Sequence, residues 1–154
     1  MRVEIVKADP SHCNAIAEHV RDADRAELWA VCCIPPWEAL IRCWAISDHS
    51  WAGIFDGEPV CMFGVTQASL LTDTGRPWMI STTAVDRYPL SFLRKQQSFM
   101  PHVRRGYARL ENYVDVRNTR SIRWLKWLGF AMGEAQPYGA LKLPFYKFSM
   151  EIMK

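Results

Sequence analysis

The sequence lacks any long apolar run. No stretch of about 18 consecutive apolar residues, the length of a membrane span, occurs in its 154 residues. The first ten residues, MRVEIVKADP, have no apolar core of signal-peptide length. The sequence therefore predicts neither a membrane span nor a secretory leader, and we expect the protein in the cytoplasm.

Metal-ligand and disulfide patterns are also missing. The cysteines are odd in number, lie in the first half and form no C-x-x-C or Cys/His spacing: Cys13, Cys32, Cys33, Cys43 and Cys61. The four histidines are scattered along the chain. This pattern predicts no metal site and a reducing compartment. The adjacent pair Cys32-Cys33 is expected to be buried apolar filler.

The net charge of +3 is distributed unevenly. Between Asp86 and Lys126 there are ten Lys or Arg residues against three acids, and the rest of the chain is net acidic. A basic segment favours an anionic partner: a phosphorylated cofactor, a nucleic acid or an acidic protein surface. A solvated helix face explains it as readily. Nucleic acid is the partner we expect least, because no stacking platform or recognition motif accompanies the charge.

Tryptophan is abundant for a chain of this size. Seven are present, at positions 29, 37, 44, 51, 78, 124 and 127. Core packing is one interpretation, and a protein-binding surface is the other, because the indole suits places where one edge is apolar and the other wet. Clustered exposure of Trp124 or Trp127 would favour a protein-binding surface.

The patterns predict one α+β domain over residues 1–154, with a largely antiparallel mixed sheet of about six to seven strands and helices on both faces. The predicted strands are 2–8, 50–55, 59–65, 78–85, 110–116, 130–134 and 143–152. The predicted helices are 11–29 with a break near 21–24, 35–45, 89–99 with a continuation to 105, and 118–128. Asp56-Gly57 predicts a hairpin turn, because both residues tolerate positive φ.

The most informative stretch is 110–130, LENYVDVRNTRSIRWLKWLGF. A strand-like run ends near Asn118, whose side chain is a candidate N-cap of the following helix. An apolar stripe follows at helical spacing (Ser121, Trp124, Leu125, Leu128), and Gly129 stands where a left-handed C-terminal cap is usually needed. The order is therefore strand, Asn, amphipathic helix and Gly-Phe.

This stretch, together with the order of the elements, resembles the GNAT superfamily of N-acetyltransferases. In that superfamily an N-x-x-A-x-x-x-Y-x-x-x-G-F helix flanks acetyl-CoA. The strand before the Asn splays from its neighbour to admit that cofactor. Asn118, Gly129 and Phe130 match the motif, and Ser121 replaces the Ala. The resemblance implies acetyl-CoA as cofactor, without a metal, and Thr83, Val85, Arg87, Asn118 and Ser121 as its binding residues.

Two departures from the family pattern point away from catalysis. The family's pyrophosphate loop is glycine-rich, which lets backbone amides approach phosphate, whereas residues 86–95, DRYPLSFLRK, contain no glycine. Arg87, Arg94 and Lys95 could bind phosphate through side chains instead, or be ordinary solvated residues. In addition, Leu125 stands at the position of the Tyr that protonates the departing thiolate. Tyr88, Tyr113 and Tyr138 are the alternatives, and the catalytic residue is left open.

A narrower resemblance covers RDADRAELWA, PWEAL, VCMFGV, GRPW and ENYVDVRNTRSIRWLKWLGF. These segments are similar to short GNAT-like proteins of tailed phages and prophages labelled podovirus internal virion proteins. The resemblance implies a phage product made in the bacterial cytoplasm and found there or in the virion. We predict a catalytically degenerate virion or assembly component acting through protein contacts; an active acetyltransferase modifying a host or phage protein is the alternative.

Overall fold

A seven-stranded mixed sheet forms the centre of the computed structural model, which describes residues 2–69 and 71–152. The strands are β1 (Val3–Lys7), β2 (His49–Phe55), β3 (Glu58–Ser69), β4 (Thr74–Ser81), β5 (Arg109–Asp115), β6 (Ala131–Tyr138) and β7 (Leu143–Glu151). Their order across the sheet is β1-β2-β3-β4-β5-β7-β6. Neighbours are antiparallel except β4 and β5, which run parallel. The predicted α+β class and largely antiparallel sheet are confirmed.

Helices cover both faces of the sheet. They are α1 (Pro10–Ala17), α2 (Asp22–Cys32), α3 (Pro36–Ile46), α4 (Ala84–Arg87), α5 (Pro89–Arg104) and α6 (Thr119–Trp127). Met62 and Phe63 are successive residues of β3, so their side chains point to opposite faces of the sheet. Met62 packs with Ile16 of α1 and Leu40 of α3. Phe63 belongs to a second apolar cluster that includes residues of α5 and α6.

Several predicted boundaries are confirmed by local geometry. Asp56 and Gly57 both have positive φ, 47° and 85°, and they join β2 to β3 as a tight turn. Gly129 has a φ of 106° just after α6, where a side chain would be strained. The break in the first helical segment is also present, because α1 ends at Ala17 and α2 begins at Asp22.

Two expectations are corrected. The strand predicted for 78–85 is β4, which ends at Ser81; Thr83 flanks the four-residue helix α4 and Val85 lies within it. Apolar and β-branched residues continue past Ser81, so composition alone did not reveal the chain reversal there. Cys32 and Cys33 are exposed rather than buried, because they end α2, with Cys33 in a left-handed conformation at the C-cap.

Candidate functional site

Strands β4 and β5 diverge from a common base. They pair only at Thr74 with Arg109 and at Gly75 with Leu110. No further backbone pairing between them is recorded in the described residues, although β4 continues to Ser81 and β5 to Asp115. The two parallel strands therefore enclose a V-shaped gap that widens toward their C-terminal ends.

Side chains fill the lower part of this V. Asn112 of β5 reaches across and donates its Nδ2 hydrogen to the carbonyl oxygen of Pro77 in β4, at 2.7 Å. Its Oδ1 accepts the backbone N–H of Tyr113 at 2.8 Å. One amide side chain thus replaces a ladder hydrogen bond at the level where the strands have separated.

Two buried aromatic rings pack together beneath α5 and α6, and one of them, Trp124, borders the V. Phe92 of α5 is fully buried and Trp124 of α6 is 7% exposed, with their ring centroids 5.5 Å apart. Trp124 donates its indole N–H to Gln96 Oε1 at 2.5 Å, and Gln96 Nε2 lies 3.2 Å from Met79 Sδ of β4. Tyr88, by contrast, is exposed. Trp124 therefore borders the V beside Met79 and Ser81 of β4, whereas Phe92 packs next to it against Gly53 and Phe55 of β2.

The space that remains is very small. A cavity of about 10 Å³ lies between the end of β4 and α6, lined by Arg21, Met79, Ser81, Val85, Arg120, Ser121 and Trp124. A cavity of roughly 10–15 Å³ holds one water, whereas pockets for organic ligands measure roughly 300–1,000 Å³. This cavity can hold a single water and is too small for a cofactor.

The predicted binding residues are only partly brought together. Val85 and Ser121 both line the small cavity. Thr83 is exposed before α4, and Arg87 is exposed at its end. Asn118 is buried and precedes α6, but its Oδ1 accepts no capping hydrogen bond, so the predicted N-cap contact is wrong; its Nδ2 donates to Asp24 Oδ1 at 3.2 Å.

In the predicted phosphate region Arg87, Arg94 and Lys95 are exposed, and Asp86 is paired with arginines from elsewhere in the chain. Asp86 of α4 lies between two arginines, with Oδ1 3.4 Å from Arg21 Nε and 3.0 Å from Arg120 Nε. Helix α5 begins at Pro89, which has no backbone N–H to offer an anion. A phosphate at this position would have to compete with the Asp86 carboxylate for both guanidinium groups.

A cluster of acids around α2 was missed by sequence reasoning. Asp24 is 4% exposed and its Oδ2 accepts the backbone N–H of Ser81 at 3.0 Å and the Ser81 hydroxyl at 3.2 Å. Its Oδ1 accepts from Arg21 Nη1 at 3.1 Å. Burial raises the pKa of Asp24, against the lowering effect of Arg21. The spacing of Asp24 and Glu27, which share one helix face, was the available signal, but RDADRAE resembles a solvated segment.

Glu27 binds β5, the second of the two strands that form the arms of the V. Its Oε1 accepts the backbone N–H of Asp115, at the end of β5, at 2.6 Å. Burial of the carboxyl group raises the pKa of Glu27 to about 8, and the negative charges of Asp24 and Asp115 act in the same direction. Burial also acts on Asp115, but hydrogen bonds from Arg117 outweigh it and lower the pKa of that carboxyl. Glu27 is therefore mainly protonated at neutral pH.

The alternative tyrosines are not at the cavity. Tyr113 and Tyr138 stack on each other with ring centroids 3.9 Å apart, and no tyrosine is among the described residues that line the space. Leu125 packs against the core that contains Phe92. Among the residues that the structure describes, no group of His, Cys, Asp or Glu could hold a metal, and no helix could cross a membrane.

Comparison with known proteins identifies the fold. No protein-family model and no curated protein matches the chain. Solved structures do: Ard1 from Thermoplasma volcanium has a TM-score of 0.77 at 13% identity, covering 100% of both chains. An acetyltransferase of the GNAT family from Streptococcus pneumoniae has a TM-score of 0.64 at 13% identity, covering 98% of this chain and 100% of its own.

A third neighbour contains a ligand. The protein yncA from Salmonella typhimurium, solved with its cofactor acetyl-CoA, has a TM-score of 0.74 at 15% identity and covers 100% of this chain and 96% of its own. Identities this low establish the architecture alone. The chain has the GNAT fold of acetyltransferases over its described length.

Proposed function

We propose that this chain is a GNAT-fold protein that does not transfer acetyl groups and acts through protein contacts, as a virion-associated or assembly component of a phage. The observation that carries the proposal is the closed V. The similarity to phage proteins in the segments quoted above supplies the setting, the bacterial cytoplasm or the virion.

Opening the V for acetyl-CoA would be unfavourable. Trp124 would have to leave its buried position and lose its hydrogen bond to Gln96, which together cost about 3 kcal/mol. A micromolar ligand gains about 8 kcal/mol on binding, so the same contacts would leave an apparent affinity roughly 100-fold weaker. Acetyl-CoA would then bind only at about 0.1 mM or above.

Titration with acetyl-CoA tests the proposal directly. Thermal unfolding and calorimetry should show no stabilisation at ligand concentrations that stabilise yncA, the neighbour solved with acetyl-CoA, in a parallel experiment. A ligand at 100 times its Kd stabilises the folded state by about 2.7 kcal/mol, which such a scan detects. A micromolar Kd with turnover of any amine would refute the proposal.

The splay itself favours a second candidate, an acetyl-CoA-dependent N-acetyltransferase acting on a host or phage protein. The gap between β4 and β5 beyond Gly75 is retained, and Val85 and Ser121 still border it. For this candidate the ring of Trp124 moves aside when the cofactor enters. Nuclear magnetic resonance of the tryptophan indole N–H groups would show a large shift for Trp124 on adding acetyl-CoA, and an unchanged spectrum would exclude it.

Exposed tryptophans support a role in protein contacts. Trp29, Trp37 and Trp127 are 53%, 50% and 43% exposed. The indole N–H of Trp37 already donates to Asn14 Oδ1 at 2.7 Å, so its exposed surface is mainly apolar. Immunoblots of purified particles of the phage or prophage that carries the gene test the virion assignment. Absence from both mature particles and assembly intermediates would contradict it.

A further inference from the structure

Helix α2 spans the open end of the V. The carboxyl groups of Asp24 and Glu27 are three residues apart on this helix, which places them on one face. Asp24 accepts the N–H of Ser81, the last residue of β4, and Glu27 accepts the N–H of Asp115, the last residue of β5. One helix therefore binds both arms at the level where they no longer bind each other.

These two N–H groups point into the gap. Thr82 donates its N–H to Val60 of β3, on the opposite side of the strand from the Ser81 N–H. Likewise, Val116 donates to Pro144, on the side of β7. Because alternate backbone groups of a strand point to opposite edges, Ser81 and Asp115 present donors to the V. The α2 carboxylates thus satisfy donors that a parallel partner strand would otherwise bind.

The carboxyl cluster also holds a proton. Asn118 donates its Nδ2 hydrogen to Asp24, and its hydrogen bond with Glu27 lowers the pKa of that carboxyl group against the larger effect of burial; its buried Oδ1 accepts no hydrogen bond from any described group. A protonated Glu27 carries the O–H donor that such an oxygen needs. The charged groups around Glu27 are Asp24 on α2, Asp115 and Arg117 at the end of β5, Arg21 before α2, and Asp86 of α4 through its ion pair with Arg21.

We propose that Asp24 and Glu27 form a proton-linked clasp that holds the V closed, in which Glu27 keeps its proton while the clasp is shut and releases it on opening. An open V exposes Glu27 to water, where its carboxyl group is ionised at neutral pH. The equilibrium between closed and open V then shifts toward the open form as pH rises from the ordinary carboxyl range toward 8. Above that value it no longer changes with pH. This inference concerns the strand gap itself and does not depend on whether the protein transfers acetyl groups.

Amide hydrogen exchange of Ser81 and Asp115 tests the clasp. After correction for intrinsic exchange rates, we expect the protection factors of both amides to fall by at least about tenfold between pH 6 and pH 8. In Glu27→Gln, a neutral isostere of the protonated acid, protection should be the same at both pH values. Asp22→Asn, which changes an exposed acid on the same helix, should behave as the wild type.

Two outcomes would overturn the proposal: equal wild-type protection at both pH values, or the same fall in Glu27→Gln. If that variant does not fold, the chemical shift of the Asp115 amide proton in the wild type is followed against pH. This shift reports the charge of Glu27, which accepts the hydrogen bond from that amide. A titration midpoint near 8 supports the clasp. A midpoint in the ordinary carboxyl range, or no titration, refutes it.

Discussion

The two halves of β4 differ in how their edges are satisfied. At Thr74 and Gly75 the strand pairs with β3 on one edge and with β5 on the other. Near Ser81 it still pairs with β3, but its other edge binds side-chain oxygens of α2 and the backbone of the segment before α2. The same strand is therefore continuous sheet at one end and a helix-covered edge at the other. Loss of strand pairing does not by itself create a binding cleft, because side chains can take its place.

The largest loss of stability should come from removing a buried side chain at the helix-covered end of β4. Trp124→Ala removes a buried ring and its hydrogen bond to Gln96. We expect the free energy of unfolding to fall by about 3–5 kcal/mol, as for other buried aromatic truncations. Chemical denaturation measures this. Trp127→Ala on the exposed side of α6 is the matched control and should lose well under half as much; equal losses would show that Trp124 does not fill the V.

Removing the β4 side of the clasp should have the next largest effect. Asp24→Ala leaves the Ser81 N–H and the largely buried Arg21 guanidinium without their carboxylate. Breaking a buried pair of this kind lowers the free energy of unfolding by about 3 kcal/mol. Asp22→Ala, in the first turn of the same helix, should change it by a few tenths of a kcal/mol. A negligible effect of Asp24→Ala would mean that the end of β4 does not need α2.

The hydrogen bond from Asn112 across the V to Pro77 is expected to contribute less to the free energy of unfolding. Asn112→Ala leaves the carbonyl oxygen of Pro77 without its donor. The expected loss is about 1–2 kcal/mol, the usual penalty for an unsatisfied buried group. Gln97→Ala, at an exposed position of α5, serves as the control in the same denaturation series. If the two variants are equally stable, a water has replaced Asn112, and the lower V is less tightly closed than described.

Substitution of Glu27 should have the smallest effect on stability at neutral pH, and the most specific one. Its raised pKa means that the folded state binds a proton that the unfolded state releases. The resulting stability is fully present below the ordinary carboxyl pKa and is lost as pH rises to about 8. Glu27→Gln should therefore remove the decline in melting temperature between pH 6 and pH 8. A parallel decline in both proteins would assign the pH dependence to other groups.

The same comparison explains what could be predicted of the site. The fold followed from local signals: the Asp56-Gly57 turn, the stripe along α6 and the Gly-Phe stop are all properties of short segments. The strand boundary at Ser81 did not, because its residues suit a longer strand, whereas the chain makes one isolated bridge from Thr82 to Val20 and then enters α4. The role of Asn118 was misjudged for a similar reason, since its partner Asp24 is 94 residues away.

What the sequence determined by itself is the architecture, because turn residues, caps and apolar periodicity act over a few residues and each admits few conformations. It also excluded a glycine-rich phosphate loop, since a side chain at each position restricts backbone approach to an anion. Only the tertiary structure decided the state of the V. Whether two splayed strands enclose a cofactor site or a filled core depends on Trp124, Asn112 and α2 meeting in space. The carboxyl groups of α2 acquire their raised proton affinity only from burial there.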